Sequence, residues 1–237
     1  MDDGTADSGG AGVPPRRDSV REWLRTLLLA LVLFLALRTM GVEAFKIPTG
    51  SMESTILVGD FVLVNKAVYG ARIPGTDLRL PALAEPRRGD VVVFRPPHEP
   101  GKNYVKRVVA LPGDTVQMRD KELIVNGEVQ HERWARYIDA RGDAVHPDME
   151  WQSRHLVASP SRYAPSRDTW GPIVVPPDRF FVLGDNRDNS EDSRYWGFVE
   201  REGLRGRPWI VYFSLDRSPG EGERGRVRWS RIGHRIR

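Results

Sequence analysis

The chain has 237 residues and contains no cysteine, which excludes a disulfide-stabilised scaffold, a cysteine-ligated zinc module and a thiol nucleophile. Its formal net charge is +4, but residues 217–237 contain seven arginines and two glutamates and so carry +5, which leaves −1 for the rest. The body of the chain is therefore not a basic nucleic-acid binder, and we expect no nucleic-acid partner.

The N-terminal region is directed at a membrane. Residues 1–22 are rich in Gly, Asp, Pro and Arg, which predicts a disordered cytoplasmic tail. An unbroken apolar run from Leu27 to Leu37 follows, between Arg25 and Arg38. Residues 23–42 reach the length of a transmembrane helix if both arginines snorkel to the headgroups. Because several arginines precede the run, we expect a single-pass anchor in the cell (inner) membrane, with a cytoplasmic N-terminus and an extracytoplasmic body.

Two other interpretations of the apolar run remain open. Val42-Glu43-Ala44 ends in the small-residue pattern of a signal-peptide cleavage site, so the segment could be a cleaved signal rather than an anchor. A buried core helix is the third interpretation, although core helices are rarely apolar on every face for three turns. An anchor and a signal both place residues 43–237 outside the cytoplasm.

Residues 43–237 show the pattern of a β protein. Short β-branched or aromatic runs alternate with turn residues, and Asn126-Gly127 is a two-residue hairpin signal. We therefore predict a mostly β fold, an antiparallel β-sheet core with a smaller inserted subdomain at about 115–176, polar and irregular over 131–172. The predicted strands are Phe61–Val64, Val91–Phe94, Tyr104–Val109, Glu122–Val125, Phe180–Leu183 and Trp209–Phe213.

The sequence leaves open a serine nucleophile whose base is a carboxylate or a lysine rather than a histidine. None of the five histidines has metal-ligand spacing or accompanies a Gly-rich serine, so we expect no metal, no cofactor, solvated histidines and no Ser-His-Asp triad. Pro and Gly flank Ser51, whose hydroxyl needs a base to become nucleophilic. Lys106 lies in an apolar strand, where desolvation would lower the pKa of its amine. The alternatives are an ordinary turn at Ser51 and a lysine facing solvent.

A polar loop, Gly184 to Gly197, directly follows the apolar strand that ends at Leu183. Its Asp, Asn, Arg and Ser side chains can form charge-assisted hydrogen bonds that hold other groups in place. A solvated turn and a calcium loop are the alternatives, and Arg187 and Arg194 among the acids argue against calcium.

Four segments occur in the order seen in one enzyme family. They are Pro48-Thr49-Gly50-Ser51-Met52 to Gly59-Asp60, then Gly89 to Phe94, then Tyr104 to Asp114, then Gly184 to Gly197. In these segments the chain resembles the bacterial type I (leader) signal peptidase family, over nearly all of 43–237. The resemblance implies a membrane-bound serine endopeptidase that removes N-terminal signal peptides from exported precursors through an acyl-enzyme.

The resemblance also assigns roles to residues. Ser51 would be the nucleophile, Lys106 the general base, and Ser190 would orient the lysine amine. The Ser51 backbone N–H and the Thr49 hydroxyl would form the oxyanion hole. Two buried ion pairs, Arg107 with Asp185 and Asp192 with Arg194, would hold the polar loop against the dyad.

Substrate binding is expected between two extended segments, Ala44 to Thr49 and Asn103 to Lys106, which could sandwich a peptide as an added strand. The resemblance implies shallow pockets for the small side chains of an Ala-x-Ala signal, in a protein that we expect to be monomeric. The predicted lining residues, for which core packing is the alternative, are Phe45, Ile47, Met52, Ile56, Tyr104 and Val105.

The chain departs from the family at Ser54, where proline is usual, and at Ile56, where leucine is commoner. Two other functions stay open: a self-cleaving regulator that uses the same dyad, and a degenerate member that captures signal peptides without cutting them. The Arg-rich C-terminus is either a headgroup-binding segment or a disordered end.

Overall fold

A computed structural model describes residues 16–71, 76, 78–140, 144–158, 162–216 and 225–237. Two compact units are present, one that ends at Arg38 and one that extends from Thr39 to Arg237. Helix α1 (Arg16–Met40) belongs to the first unit except for its last two residues, which are counted in the second. The second contains all the described strands, the short helix α2 (Ser193–Trp196) and five 3-10 helices, Ala67–Tyr69, Pro147–His155, Arg187–Asn189, Arg201–Gly203 and Trp229–Arg231.

Helix α1 begins earlier than the composition predicts. Residues 16–22, which we expected in a disordered tail, are helical, whereas residues 1–15 lie outside the described part of the chain. Arg and Glu are good helix formers, so the polar composition of residues 16–22 is compatible with the first turns of the helix. Among the described residues no helix combines the length and the apolar character that a membrane crossing requires.

Twelve strands are found in the described residues. In chain order they are β1 (Val42–Lys46), β2 (Asp60–Asn65), β3 (Val91–Phe94), β4 (Tyr104–Ala110), β5 (Thr115–Arg119), β6 (Glu122–Val125), β7 (Glu128–Val129), β8 (Trp170–Val174), β9 (Arg179–Leu183), β10 (Val199–Glu200), β11 (Leu204–Asp216) and β12 (Arg226–Val227).

The strands form two antiparallel sheets. The larger has the order β1-β2-β11-β3-β4-β9-β10, with β12 paired to β11, and the smaller has the order β7-β6-β5-β8. The predicted mostly β, antiparallel fold is therefore confirmed. Every strand of the smaller sheet falls within 115–174, the region predicted to be inserted, and this sheet shares a core with β9 through Phe181, whose ring stacks on Trp170 at 5.1 Å.

Burial follows the position of each strand in its sheet. β2 alternates between buried and partly buried residues, whereas β3 is buried throughout because it lies between β11 and β4. All six predicted strands are present. The predicted hairpin is also confirmed, since Asn126 and Gly127, with φ of 53° and 84°, join β6 to β7.

The C-terminal segment 225–237 is ordered against β11. The backbone N–H of Val211 donates to the carbonyl of His234 at 2.9 Å, and that of Ile236 donates to Trp209 at 2.9 Å. Ile236 is buried in the same core cluster as Ile47. A disordered end is therefore wrong for these residues, because backbone pairing and one buried isoleucine fix them. Residues 217–224 lie outside the described residues.

Candidate active site

Ser51 lies in a tight turn between β1 and β2. The backbone N–H of Glu53 donates to Gly50 at 3.0 Å, and that of Ile56 donates to Met52 at 2.9 Å. The side chains of Met52 and Ile56 are buried in the core below. Because the turn is bonded to itself and packed from beneath, Ser51 is held at the surface of a groove.

The amine of Lys106 reaches this serine. Lys106 Nζ donates to Ser51 Oγ at 2.6 Å, and the lysine is only 4% exposed. Burial lowers its pKa from 10.5 to about 8, an effect that Asp192 opposes and Arg194 strengthens. At pH 7 the amine of Lys106 is therefore neutral, and able to take a proton, in roughly one molecule in ten.

Asp192 organises the polar loop behind the lysine. Its carboxylate accepts hydrogen bonds from Arg194 Nε and Nη2, both at 2.8 Å, and from the backbone N–H of Gly184 at 3.0 Å. Burial alone would raise the pKa of Asp192, but the Arg194 guanidinium outweighs it and holds the pKa below its usual range. Ser190 Oγ donates to Asp192 Oδ2 at 2.8 Å. Among the described residues no hydrogen bond is found between Ser190 and Lys106, so the orienting role of Ser190 stays a prediction.

A second buried ion pair, after that of Asp192 with Arg194, joins Arg107 in β4 to Asp185 in the same loop. Arg107 donates to both carboxylate oxygens of Asp185, at 2.8 and 2.7 Å, and both side chains are buried. The Thr55 hydroxyl donates to Asp185 at 2.6 Å and accepts from Arg107 at 3.1 Å. The turn that carries Ser51 is thus bonded to this pair, a link that the sequence did not reveal because Thr55 belongs to no charged motif.

Asn186 also contacts the Ser51 turn, although no motif predicted a role for it. Its backbone N–H donates to the carbonyl of Ser51 and its side-chain Nδ2 donates to the carbonyl of Gly50, both at 3.1 Å. These contacts require the start of the loop 184–197 to approach the Ser51 turn closely. A Cβ on Gly184 would overlap Ser190 Oγ and lie 2.5 Å from the carbonyl oxygen of Ser51, so only glycine fits at that position.

A groove of about 870 Å³ opens beside the Lys106–Ser51 contact. It is lined by residues 45–49, at the end of β1 and after it, and by residues 102–106, before β4 and at its start; these segments overlap the two between which we expect a peptide to bind. The predicted site residues that line it are Phe45, Ile47, Thr49, Ser51, Met52, Tyr104, Val105, Lys106 and Ser190. Ile56 is not among them: it is fully buried, because the turn directs its side chain into the core with Val62 and Val211.

The groove has a wall that the sequence did not predict. His146 and Asp148, from the irregular stretch 131–172, line it together with Glu191 and Tyr195. The rings of His146 and Tyr195 meet edge to face at 4.9 Å. His146 is still a surface histidine, with 40% of its side chain exposed, but one face of its ring packs against Tyr195. No motif marks this stretch, so only the folded arrangement reveals it.

These contacts fit acyl transfer on an extended peptide. A hydroxyl bonded to a buried amine is an activated nucleophile, and the edge strand β1 offers main-chain groups to an added strand.

Comparisons with known proteins point to the same chemistry. A family model described as "Signal peptidase, peptidase S26" matches residues 20–213. The chain is 41% identical to a signal peptidase I of Pseudomonas aeruginosa, over 81% of this chain and 72% of that protein. It is 34% identical to one of Aquifex aeolicus, over 82% and 85%.

A crystal structure of a signal peptidase I from Enterococcus faecalis is 30% identical, with a TM-score of 0.37 over 53% of this chain and 98% of that one. The assignment therefore rests on the sequence matches, which cover nearly the entire β unit. On these matches, the chain belongs to the signal peptidase family, peptidase S26.

Proposed function

We propose that this protein is a membrane-bound serine endopeptidase that removes N-terminal signal peptides from exported precursors, with Ser51 as nucleophile and Lys106 as general base. The observation that carries the proposal is the 2.6 Å contact between Lys106 Nζ and Ser51 Oγ in a peptide-sized groove. The names of the relatives support the reaction class.

The reaction proceeds in two steps. Ser51 Oγ attacks the carbonyl carbon before the cleavage site, and its proton passes to the neutral amine of Lys106. The C–N bond breaks, Lys106 gives this proton to the departing amine, and the signal peptide stays esterified to Ser51. A water molecule then attacks the ester and loses its proton to Lys106, which returns it to Ser51 Oγ.

The tetrahedral intermediate needs hydrogen-bond donors for its oxyanion. The backbone N–H of Ser51 and the hydroxyl of Thr49 supply them, since Thr49 lies two residues before the nucleophile and lines the same groove. Ser190 donates to Asp192 at 2.8 Å and so holds this carboxylate in place, and the charge of Asp192 acts to raise the pKa of the Lys106 amine.

Substrates bind as an extended strand beside β1. Ile47 and Met52 are almost buried but line the groove, so the wall next to Ser51 is apolar. We propose that this wall accepts small apolar side chains before the cleaved bond. Phe45, Tyr104 and Val105 line the groove farther along.

The membrane part of the proposal rests on α1. Its apolar side chains are exposed, from Leu27 at 67% to Phe34 at 57%, and exposed apolar surface of this extent favours lipid. We propose that α1 inserts as a single anchor with a cytoplasmic N-terminus, and that the β unit acts as a monomer on the other side.

The test is cleavage of a secretory precursor in lipid vesicles by the wild-type protein, Ser51→Ala and Lys106→Ala. We expect both variants to lose at least about a thousandfold in rate, and the cut to follow a small residue. Lys66→Ala is the matched control, because this lysine pairs with Glu43 away from the groove, and it should retain full activity.

Sequencing the N-terminus of the recovered enzyme separates an anchor from a signal cut after Ala44. An active Lys106→Ala variant would show that another base operates and would refute the mechanism. Binding of the precursor by the wild-type protein without turnover would identify a capture protein instead.

A further inference from the structure

The turn after Ser51 contains a residue in a conformation that L-residues rarely adopt. Ser54 has φ of 125°, and proline, usual here in the family it resembles, is fixed at about −65°. A positive φ is costly for a residue with a Cβ and persists where surrounding contacts hold it. The backbone at Ser54 is therefore held by something outside the turn.

That contact is with the irregular stretch 131–172. Ser54 Oγ donates to the backbone carbonyl of Trp134 at 2.5 Å, across 80 residues of chain. The indole Nε1 of Trp134 donates to Glu132 at 3.2 Å, and Glu132 forms an ion pair of 2.5 Å with the buried Arg187. Trp134 is thus held at its carbonyl and at its ring.

The ring of Trp134 covers the ion pair next to the dyad. The guanidinium carbon of Arg107 lies 4.2 Å from the centre of the ring. Arg107 follows Lys106 in β4, is fully buried, and bonds to both oxygens of Asp185. An aromatic face over a buried cation attracts it and excludes water.

We propose that Trp134 is a positioning residue for the dyad and that the Ser54 hydroxyl is its tether. Together they close the inserted stretch over the Arg107–Asp185 pair and hold the loop 184–197 against Lys106. The kinetic part of this inference rests on the proposed function. Without the indole, water reaches the Arg107–Asp185 ion pair and the loop 184–197 is held less firmly. The amine of Lys106 then becomes better solvated.

The sign of the effect on Lys106 follows from what surrounds it. Burial dominates and lowers its pKa; Asp192, Glu191 and Asp185 act to raise it, and Arg194 acts to lower it. Greater access of water relieves the desolvation and screens the charges. We therefore expect the pKa of Lys106 to rise from about 8 toward 10.5.

The direct test is titration of Lys106 by NMR with ¹³C-labelled lysine, because the chain contains only five lysines. The Lys106 signal is assigned by its loss in Lys106→Met. We expect Trp134→Ala to raise the midpoint by about one pH unit, and Trp134→Phe, which keeps a ring, to raise it less. Trp229→Ala is the control, since this tryptophan is 77% exposed, and its midpoint should equal that of the wild type.

Kinetics on a soluble Ala-x-Ala peptide provide the second readout. At pH 7, Trp134→Ala should lower kcat about tenfold with KM within about twofold, since less of the amine is neutral. Ser54→Ala should act in the same direction with a smaller effect. Because the tether acts through the tryptophan, the double variant should be no worse than Trp134→Ala alone.

An unchanged Lys106 midpoint in Trp134→Ala would overturn the proposal, even if the rate falls. Should that variant fail to fold, Ser54→Ala decides, since its site is exposed: an unshifted midpoint there rules out the tether. The titration requires no cleavage, so a wild-type protein that does not cut precursors refutes the proposed function while this inference is still judged by NMR.

Discussion

The backbone N–H of Asn186 donates to the carbonyl of Ser51 at 3.1 Å. The loop that carries Ser190 and Asp192 is therefore bonded to Ser51, the proposed nucleophile. A displacement of this loop would move Ser51, so the geometry of the Lys106–Ser51 contact depends on how closely the loop approaches.

Gly184→Ala should abolish most activity while the fold is kept. The new Cβ would lie 2.5 Å from the carbonyl oxygen of Ser51 and overlap Ser190 Oγ, so the loop must move away from the dyad. We expect kcat to fall about a hundredfold, measured on a precursor peptide. Gly101→Ala is the matched control because no atom lies within 4 Å of its Cβ; equal activities of the two variants would contradict the argument.

The rate should rise with pH through the titration of Lys106. Burial holds the pKa of this amine at about 8, and only the neutral amine accepts the serine proton. Below that pH, kcat/KM should increase about tenfold per pH unit, and it should level above pH 8. The profile is measured from pH 5.5 to about 9.5 on the wild-type protein. A flat profile through neutral pH would exclude Lys106 as the base.

Lys106→Met should stabilise the fold at neutral pH. The folded pKa of about 8 lies below the unfolded value of 10.5, so at pH 7 the folded protein bears the full cost of charging a buried amine. That cost corresponds to roughly 3 kcal/mol. As pH rises from 8 to 10.5, the wild type gains this stability and the advantage of the variant disappears. Urea unfolding at pH 7 and at about pH 9.5 measures the difference; a variant no more stable at pH 7 would refute the buried charge.

Arg231→Gln should destabilise the protein and slow cleavage. Arg231 Nη2 donates to the buried carboxylate of Asp60 at 2.6 Å and to the carbonyl of Thr55, in the nucleophile turn, at 2.9 Å. Removing the cation leaves Asp60 charged and unpaired, at a cost of about 3 kcal/mol. Arg235→Gln, at an exposed position nearby, should leave the melting temperature unchanged. A similar decrease in melting temperature in both variants would indicate only an effect of net charge.

Sequence patterns predicted the strands that define the main sheet, because apolar runs such as β3 and β9 are bounded by Gly-Asp turns. The apolar strand pattern around Lys106 indicated that its amine could be desolvated, but it left a solvent-facing lysine open. Its pairing with Ser51 was implied by the family resemblance, because spacing within one segment says nothing of a contact between two segments 55 residues apart.

The contacts between distant segments could not be predicted in the same way. Nothing in the local pattern around Thr55, Trp134 or His146 indicates that they meet the dyad or the groove, because each reaches its site by tertiary packing. Ile56 was predicted to line a substrate pocket because it lies close to Ser51 in the sequence. This prediction is wrong, since the turn directs its side chain into the core. The first helical turns of α1 were missed because polar composition was taken as disorder.

The contacts around Ser51 come from segments far apart in the chain. Lys106 lies 55 residues from it, Arg107 and Asp185 are 78 residues apart, and Arg231 reaches Thr55 across 176. Contacts of such high sequence separation form late, because long loops must close first. A chain whose later segments have not yet been made therefore contains Ser51 without Lys106 and without the arginine that bonds to its turn. Under the proposed function, we expect activity only after the segment that carries Arg231 has folded onto this turn.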